Sequence, residues 1–520
     1  MNTQVTVLLA CSLSLPLAYA DTTPSSSSTS PPLTYSLDFD PNKYTSKTLS
    51  RGEQTIHYRA YENLIYVQHP LDPQYQRMNI YIPEAYFAGK KMGDFTVDNA
   101  PIFLPNKIGA YMPAEPDSPD LAGGMGLPPM GDKPPADAPV PAEGHTANAS
   151  FVALSKGYIV ASPGARGSSN QDPSGKYIGK APAAIVDLKA AVRYLRYNDK
   201  TMPGSAEKII SNGTSAGGAL SALLGATGNN PDYAPYLKAL GAADTSDAIF
   251  AVSAYCPITN LDHADSAYEW QLDEIHAYKK LVISKDTNYQ IQRKLEDGNL
   301  TPEQIKLSAQ LKALFPNYLN SLNLKDAQGN ELKLDAQGNG NFKDLVKSYV
   351  LASAQTVLDK GQDLSKLAWL TIKDGKVMDL NFEQYLAYAG RMKTPPAFDA
   401  LDLSNAENEL FGNESVNAQH FTLFSQEHST NKGKLADTAI VKLMNPMNYI
   451  AAPNTDTSKY WRIRHGTVDK DTSLAIPTIL ATRLSNQGFT VDFAMPWDQG
   501  HGGDYDLEAL FAWMDQVTAH

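Results

Sequence analysis

Short apolar runs alternate with an amphipathic pattern along the first half of the chain. The apolar runs predict strands at residues 64–68, 78–82, 101–104, 158–161, 208–210 and 248–255. Between the fourth and fifth of these runs, apolar positions recur with helical spacing over residues 184–197. Strands that alternate with helices in this way are typical of an α/β fold with a mostly parallel sheet.

The same pattern returns near the C-terminus after a long interval. Residues 460–469 predict a strand that runs into a glycine turn, residues 489–493 a further strand, and residues 507–517 a last helix; the interval itself predicts helices at residues 301–315 and 344–358 and a Gly-Asn-rich turn at 335–340. We therefore expect a discontinuous core made of residues 37–265 and 441–520, interrupted by an inserted lid domain over residues 266–440.

The N-terminus has the composition of an export signal. The apolar run at residues 5–17 is too short to span a bilayer, and Ala18-Tyr19-Ala20 fits a signal-peptidase site, so residues 1–20 predict a secreted or periplasmic protein. An alternative is a lipoprotein anchored at Cys11, because Leu8-Leu9-Ala10-Cys11 weakly resembles a lipid-attachment site. Residues 21–36 include a serine run and a proline pair, and we expect them to form a disordered leader.

Composition narrows the range of partners. The 520-residue chain carries a net charge of −12, which argues against nucleic acid or an anionic membrane surface as a partner. Cleavage after Ala20 would leave Cys256 as the only cysteine, so we expect no intramolecular disulfide. The sequence has no metal-binding motif of the H-E-x-x-H or C-x-x-C kind, and we expect no metal or other cofactor.

A nucleophile motif follows the strand predicted at 208–210. Residues 213–217 read Gly-Thr-Ser-Ala-Gly, and a run of small residues predicts a helix over 216–226. A G-x-S-x-G turn between a strand and a helix presents the serine hydroxyl at the N-terminus of the helix, where free N–H groups can stabilise an oxyanion. Ser215 is therefore the candidate nucleophile, and the Ala216 N–H is one candidate oxyanion donor.

The other members of a catalytic triad follow in the order acid, then histidine. Asp469 lies 254 positions after Ser215, where the strand at 460–464 meets its turn, and His501 lies in a glycine-rich segment before the last helix. Serine needs the imidazole to accept its proton and a buried carboxylate to orient the imidazole. Alternatively, Asp469 or Asp471 could cap a helix that begins near residue 472. We interpret His465 as a hydrogen-bonded structural histidine.

A proline-rich segment at residues 112–147 contains nine prolines and predicts a long loop. It follows the strand predicted at 101–104. In hydrolases whose triad follows the chain order Ser, acid, His, the residues after this strand usually supply the second oxyanion donor. The loop could fold over the site or form a passive surface insertion, and the sequence favours neither.

At these residues the chain resembles the bacterial tannases of the lactobacillus type. The resemblance extends from about residue 58 to residue 513 and is most specific in the strings SNGTSAGGA at 211–219, FAVSAYCP at 250–257, HAD at 263–265, PAFD at 396–399, WRIRHG at 461–466 and GDYDL at 503–507. It implies an α/β-hydrolase fold with a large inserted lid, the triad Ser215, Asp469 and His501, and a second oxyanion donor near Gly109-Ala110, assigned to Ala110. The resemblance leads us to expect two glycines here, whereas the chain has Gly109 and Ala110. An alanine can supply the backbone N–H as well as a glycine unless its φ must be positive.

The resemblance also implies a subsite for the three phenolic hydroxyls of gallate. The matching residues are Lys393, Glu407 and Asp471. Carboxylates accept hydrogen bonds from phenols, and an ammonium group favours a partly ionised phenol. Without the resemblance, Lys393 and Glu407 would be interpreted as solvated surface residues.

These expectations predict a serine esterase that cleaves galloyl esters, from simple gallate esters to tannins, through an acyl-enzyme. One alternative is an esterase of the same fold that acts on hydroxycinnamates such as ferulate. A more remote alternative is a non-catalytic binding protein that retains a hydrolase fold.

Overall fold

The computed structural model describes residues 34–121, 148–285 and 291–519. The predicted signal segment, almost all of the predicted leader and most of the proline-rich loop lie outside these residues. Within the described residues, no helix is both long and apolar enough to cross a membrane.

A nine-stranded sheet forms the centre of the fold, with strand order β1-β2-β3-β5-β4-β6-β7-β12-β13. Its strands are β1 Thr45–Arg51, β2 Gln54–Ile65, β3 Arg77–Pro83, β4 Pro101–Pro105, β5 Ile159–Pro163, β6 Ser205–Thr214, β7 Ala251–Tyr255, β12 Tyr460–Arg464 and β13 Thr490–Ala494. The first three strands pair antiparallel with their neighbours, and every pair from β5 to β13 is parallel. The prediction of an α/β fold with a mostly parallel sheet is confirmed.

Fourteen α-helices occur among the described residues. They are α1 Glu84–Phe87, α2 Ala149–Ser155, α3 Ala183–Tyr197, α4 Ala216–Ala226, α5 Ala234–Ala239, α6 Leu261–Leu272, α7 Pro302–Ser321, α8 Asn341–Asp359, α9 Phe382–Ala389, α10 Ala406–Leu410, α11 Leu423–Glu427, α12 Thr438–Leu443, α13 Ala475–Asn486 and α14 Leu507–Thr518. Two 3₁₀ turns, at Pro231–Tyr233 and Pro446–Asn448, complete the helical elements.

Helices cover both faces of the sheet because neighbouring side chains along a strand point to opposite faces. Ile209 packs in a large apolar cluster with residues of α3, α4, α6 and α13. The next residue, Ile210, packs in a second cluster with residues of α2 and α14. The strands are buried on both sides, which explains their nearly continuous apolar character in the sequence.

The segment between β7 and β12 carries the predicted insertion. Besides helices it contains two antiparallel hairpins, β8 Ala277–Lys285 with β9 Ile291–Asn299, and β10 Leu370–Lys373 with β11 Lys376–Leu380. The sequence did not predict these hairpins. The bounds of 266–440 for a lid domain stay a prediction, and α6 crosses the first of them.

The strand predicted at 64–68 is wrong in position. The pairing of β2 with β3 is irregular between Tyr61 and Leu64, at Asn63 with φ 62°, and β2 ends at Ile65. Beyond it, the Gln68 N–H donates to the carbonyl of Gly241, outside the sheet. The apolar run therefore reflects burial of Tyr66 and Val67 and not sheet pairing.

Candidate active site

Ser215 lies at the sharp turn between β6 and α4. Its backbone has φ 61° and ψ −124°, a conformation that a non-glycine residue rarely adopts. A Cβ on Gly213 would lie 2.3 Å from the carbonyl oxygen of Gly217, and a Cβ on Gly217 would lie 2.5 Å from Asn106 Oδ1. Both glycines are therefore required by close packing, and the strained turn presents the Ser215 hydroxyl at the N-terminus of α4.

Asn106, directly after β4, holds this turn in place. Its side-chain amide donates to the carbonyl of Gly217 at 3.1 Å and to the Ser221 hydroxyl at 3.0 Å. Its backbone N–H donates to the carbonyl of Asn212 at 2.9 Å. Asn106 therefore ties the exit of β4 to both sides of the Ser215 turn.

Ser215, His501 and Asp469 form a continuous hydrogen-bonded chain. The Ser215 Oγ lies 2.8 Å from His501 Nε2, and His501 Nδ1 lies 2.9 Å from Asp469 Oδ2. With hydrogen on Nδ1, the ring donates to Asp469 and accepts from the Ser215 hydroxyl, as general-base catalysis requires. Asp469 and His501 follow β12 and β13 respectively, and these strands are parallel to β6, so all three triad residues lie at the carboxyl edge of the sheet.

The alternative role of Asp469 or Asp471 as a helix cap does not agree with the structure. Helix α13 begins at Ala475, and its N-cap position is Leu474, without a capping side chain. Oδ1 of Asp469 instead accepts the backbone N–H of Asp471 at 2.8 Å and that of Thr472 at 3.4 Å. The other carboxylate oxygen, Oδ2, faces His501.

The surroundings shift the pKa values of both partners. Burial alone would raise the pKa of Asp469, but the facing His501 and His465 rings and the hydrogen bonds it accepts hold it well below its ordinary value. Burial alone would lower the pKa of His501, but the groups beside it, Cys256, Asp469 and Asp471, raise it above its ordinary value. Burial also raises the pKa of the Cys256 thiol, which favours its neutral form. Near neutral pH the negative charge that favours protonated His501 therefore comes from the two aspartates.

The second predicted oxyanion residue, Ala110, has φ 48°, and the next residue, Tyr111, has φ 55°. A left-handed alanine is strained by about 1–3 kcal/mol and persists only where its surroundings hold it. The Met112 N–H donates to the carbonyl of Gly109 at 2.9 Å, and the Ser168 N–H donates to that of Tyr111 at 2.9 Å. The chain therefore keeps an alanine at a position whose backbone favours glycine.

Lys393, Glu407 and Asp471 converge beside the triad. Lys393 Nζ lies 3.0 Å from Asp471 Oδ1 and 3.9 Å from the centre of the Phe398 ring. Burial alone would lower the pKa of Lys393, but Asp471 and Glu407 raise it, so the ammonium group stays charged. Burial raises the pKa of Glu407, an effect that Lys393 opposes and Asp471 reinforces. Glu407 is only 8% exposed, so the expectation of a solvated surface residue is wrong for it.

An open cavity of about 910 Å³ collects these residues. Seven of the eight predicted site residues line it, namely Ala110, Ser215, Ala216, Lys393, Glu407, Asp471 and His501. Asp469 lies behind His501 and is 2% exposed. A cavity of this size holds a ligand with more than one ring.

Sequence reasoning missed three residues near the triad. Cys256, after β7, is a free buried thiol whose Sγ–H donates to the carbonyl of Gly502 at 3.2 Å. Asn106 holds the serine turn, and its position directly after a parallel strand was the available signal. The interpretation of His465 as a hydrogen-bonded histidine is wrong, because the fully buried ring makes no well-formed hydrogen bond through either nitrogen.

Comparisons with known proteins agree with this geometry. Residues 142–296 match the family model described as BD-FAE. The structure of Fusobacterium nucleatum tannase is similar to this chain with 52% identity and a TM-score of 0.85, over 93% of this chain and 100% of that one. This chain belongs to the bacterial tannases. Among curated proteins, no match to the chain was found.

Two further tannase structures support the same relationship. Tannase from Lactobacillus plantarum is 42% identical with a TM-score of 0.85, over 93% of this chain and 100% of that one. A tannin acyl hydrolase in complex with ethyl gallate is 42% identical with a TM-score of 0.83, over 93% and 99% of the two chains. The chain is thus a tannin acyl hydrolase, a carboxylic ester hydrolase that acts on gallate esters.

Proposed function

We propose that Ser215 is the nucleophile of this tannase and that it cleaves galloyl esters through a covalent acyl-enzyme. Ser215 Oγ attacks the ester carbonyl carbon while its proton passes to His501 Nε2. The tetrahedral intermediate collapses, the C–O bond to the alcohol breaks, and His501 gives the proton to the departing alcohol oxygen. Water then attacks the acyl-enzyme with His501 again as base, and gallate leaves as Ser215 regains its proton.

The hydrogen bonds from Ser215 to His501 and from His501 to Asp469 are the observation that carries this proposal. They also argue against a non-catalytic binding protein, which would have no reason to keep a complete and correctly ordered relay. For the oxyanion we assign the Ala216 N–H at the start of α4 and the Ala110 N–H across the cavity.

We assign Lys393, Glu407 and Asp471 to the phenolic hydroxyls of the galloyl ring. Two acceptors and one cation along a cavity wall match three adjacent hydroxyls, of which one carries partial negative charge. The tannin acyl hydrolase solved with ethyl gallate supports a substrate of this class.

A second candidate activity is hydrolysis of feruloyl esters. The match of residues 142–296 to the BD-FAE model favours it, because that region includes Ser215. A ferulate ring has one free hydroxyl and a methoxy group, so it would leave the charged groups of the subsite partly unpaired. We therefore expect methyl gallate to be preferred to methyl ferulate.

One assay tests these assignments together. Purified enzyme and its Ser215→Ala variant are compared for gallate release from methyl gallate and from tannic acid, with methyl ferulate alongside. We expect the variant to fold and to lose several orders of magnitude in kcat/KM. A folded Ser215→Ala enzyme with near wild-type activity would refute the mechanism, and faster turnover of methyl ferulate would refute the substrate.

We also propose export of the chain, with cleavage after Ala20. Its support is the sequence of residues 1–20. Mass spectrometry of protein expressed from its own leader would find a mature N-terminus at Asp21, whereas lipid on Cys11 would establish a membrane anchor.

A further inference from the structure

The acid side of the triad contains more potential metal ligands than catalysis requires. One ligand atom each from Cys256, Asp469 and His501 lie within 4.8 Å of one another, and all three residues are buried. The proposed mechanism uses His501 and Asp469 but gives the thiol no chemical role.

A fourth residue, His465, faces the same cluster. Its Nδ1 lies 3.7 Å from Asp469 Oδ2, too far for a hydrogen bond, and its side chain is completely buried. Neither ring nitrogen makes a well-formed hydrogen bond with another described residue. Buried polar groups in native proteins are nearly always paired, so an unpaired Nδ1 needs an explanation. Its position beside the cluster makes it available as a metal ligand.

We propose that Cys256, His501 and Asp469, with His465 as a fourth ligand, bind a soft divalent cation such as Zn²⁺ or Cd²⁺, and that the bound cation switches off the esterase. One thiolate, two imidazoles and one carboxylate form a donor set that suits tetrahedral zinc. Ligands of a tetrahedral zinc ion stand roughly 3.3–3.8 Å apart. The 2.9 Å contact between His501 Nδ1 and Asp469 Oδ2 would open by a few tenths of an ångström, and ligand atoms that lie up to 4.8 Å apart would close by about 1 Å.

The protons balance as follows. Asp469 binds through a carboxylate oxygen and His465 through the lone pair of a ring nitrogen. The cation takes the place of the proton on His501 Nδ1, and in the neutral ring that proton moves to Nε2. Cys256 loses its thiol proton to solvent on binding, so one proton is released for each cation bound when His501 starts as the neutral ring, and two are released when it starts as the imidazolium.

The new tautomer explains the inhibition. With hydrogen on Nε2, His501 cannot accept the proton of the Ser215 hydroxyl. The cation enters from the cavity, which His501 lines and where it is 9% exposed. Inhibition rests on the proposed role of His501 as base, whereas binding of the cation does not.

Two measurements test binding and inhibition separately. Binding is followed in EDTA-treated enzyme by the ultraviolet thiolate-to-cadmium charge-transfer band and by proton release during Cd²⁺ titration. Inhibition is followed with Zn²⁺ and a benzoate ester, because gallates themselves chelate metals. Each variant's rates are normalised to its own rate without metal.

For wild type we expect one Cd²⁺ per chain, one released proton per chain at a pH where His501 is neutral, and inhibition by Zn²⁺ that EDTA reverses. Cys256→Ser should lose the charge-transfer band and require at least about tenfold more Zn²⁺ for half-inhibition. His465→Gln should weaken Cd²⁺ binding while the band remains, and this variant replaces Cys256→Ser if that one fails to fold.

A Ser215→Ala background separates this proposal from the proposed function. Ser215 is not a ligand, so the cadmium band should persist in Ser215→Ala and disappear in the double variant Ser215→Ala with Cys256→Ala. Absence of the band in wild type, or a band and inhibition unchanged in Cys256→Ser, would overturn the metal site. Bound Cd²⁺ without loss of esterase activity would instead overturn the assigned role of His501.

Discussion

Replacing Lys393 by methionine removes one positive charge from the cavity and keeps most of the side-chain length. Lys393 Nζ lies 3.0 Å from Asp471, and Glu407 lines the same cavity and raises the pKa of Lys393. A galloyl hydroxyl bound there would lose one charge-assisted hydrogen bond, which contributes about 1.5–3 kcal/mol. We therefore expect kcat/KM for methyl gallate to fall about ten- to two-hundred-fold.

The assay compares methyl gallate with methyl benzoate, or with an activated benzoate if turnover is too slow. Benzoate lacks the hydroxyls, so its kcat/KM should change little in Lys393→Met. Lys442→Met is the matched control, since Lys442 also pairs with an aspartate, Asp232 at 2.7 Å, but is 53% exposed. Equal losses on both esters would show that Lys393 does not recognise the galloyl hydroxyls and that galloyl specificity lies elsewhere. Thermal unfolding of the variant shows whether such losses come from destabilisation of the fold.

Four further predictions concern the two aspartates, the pH dependence, the serine turn and the proline-rich loop. Asp469→Asn should lower kcat on every ester, and Asp471→Asn should impair gallates selectively; a reversed pattern would exchange their roles. Because Asp469 and Asp471 raise the pKa of His501 and only the neutral ring accepts a proton, kcat/KM in EDTA should rise with pH through a value above the ordinary histidine pKa, and Asp471→Asn should move that rise to lower pH on a benzoate ester. Gly213→Ala should destabilise the fold by about 1–3 kcal/mol in urea unfolding, whereas Gly502→Ala, whose Cβ would meet no atom within 4 Å, should not. Replacing residues 122–147 by a short linker should spare methyl gallate hydrolysis, because Asn148 Nδ2 already donates to the carbonyls of Ser118 and Leu121 at 2.9 and 3.2 Å; loss of activity in a folded variant would assign the loop to the pocket.

Local sequence patterns predicted many of the strands and helices, because the strands of the mostly parallel sheet are buried on both sides and are therefore nearly continuously apolar. Helix α4 begins and ends where the run of small residues predicted, since a glycine-bounded turn and a helix of small residues are both local features. The β8–β9 hairpin was missed because residues 277–285 and 291–299 show no strict alternation of apolar and polar residues and lie within a segment of helical composition. The strand at 64–68 was misplaced because burial and pairing give the same apolar signal.

The site was predictable where a residue type and a turn coincide, as at Ser215 and His501. Lys393 and Glu407 have polar neighbours in sequence, so only the family resemblance placed them in a cavity. Cys256 and His465 illustrate a further limit. Each directly follows a strand and has no distinctive sequence context, and their meeting beside Asp469 depends on β7 and β12 being neighbours in the sheet.

The two kinds of residue in this cavity have separate origins along the chain. Ser215, Asp469 and His501 follow strands of the central sheet, whereas Lys393 and Glu407 come from the long segment between β7 and β12. Proton transfer thus depends on residues that follow strands of the sheet, whereas two of the three residues assigned to the galloyl ring come from the insertion and the third, Asp471, follows β12. Substitutions between β7 and β12 can change which aromatic acid the enzyme accepts while Ser215, His501 and Asp469 stay unchanged. We therefore expect related chains with the same triad to diverge first in the acids that they release.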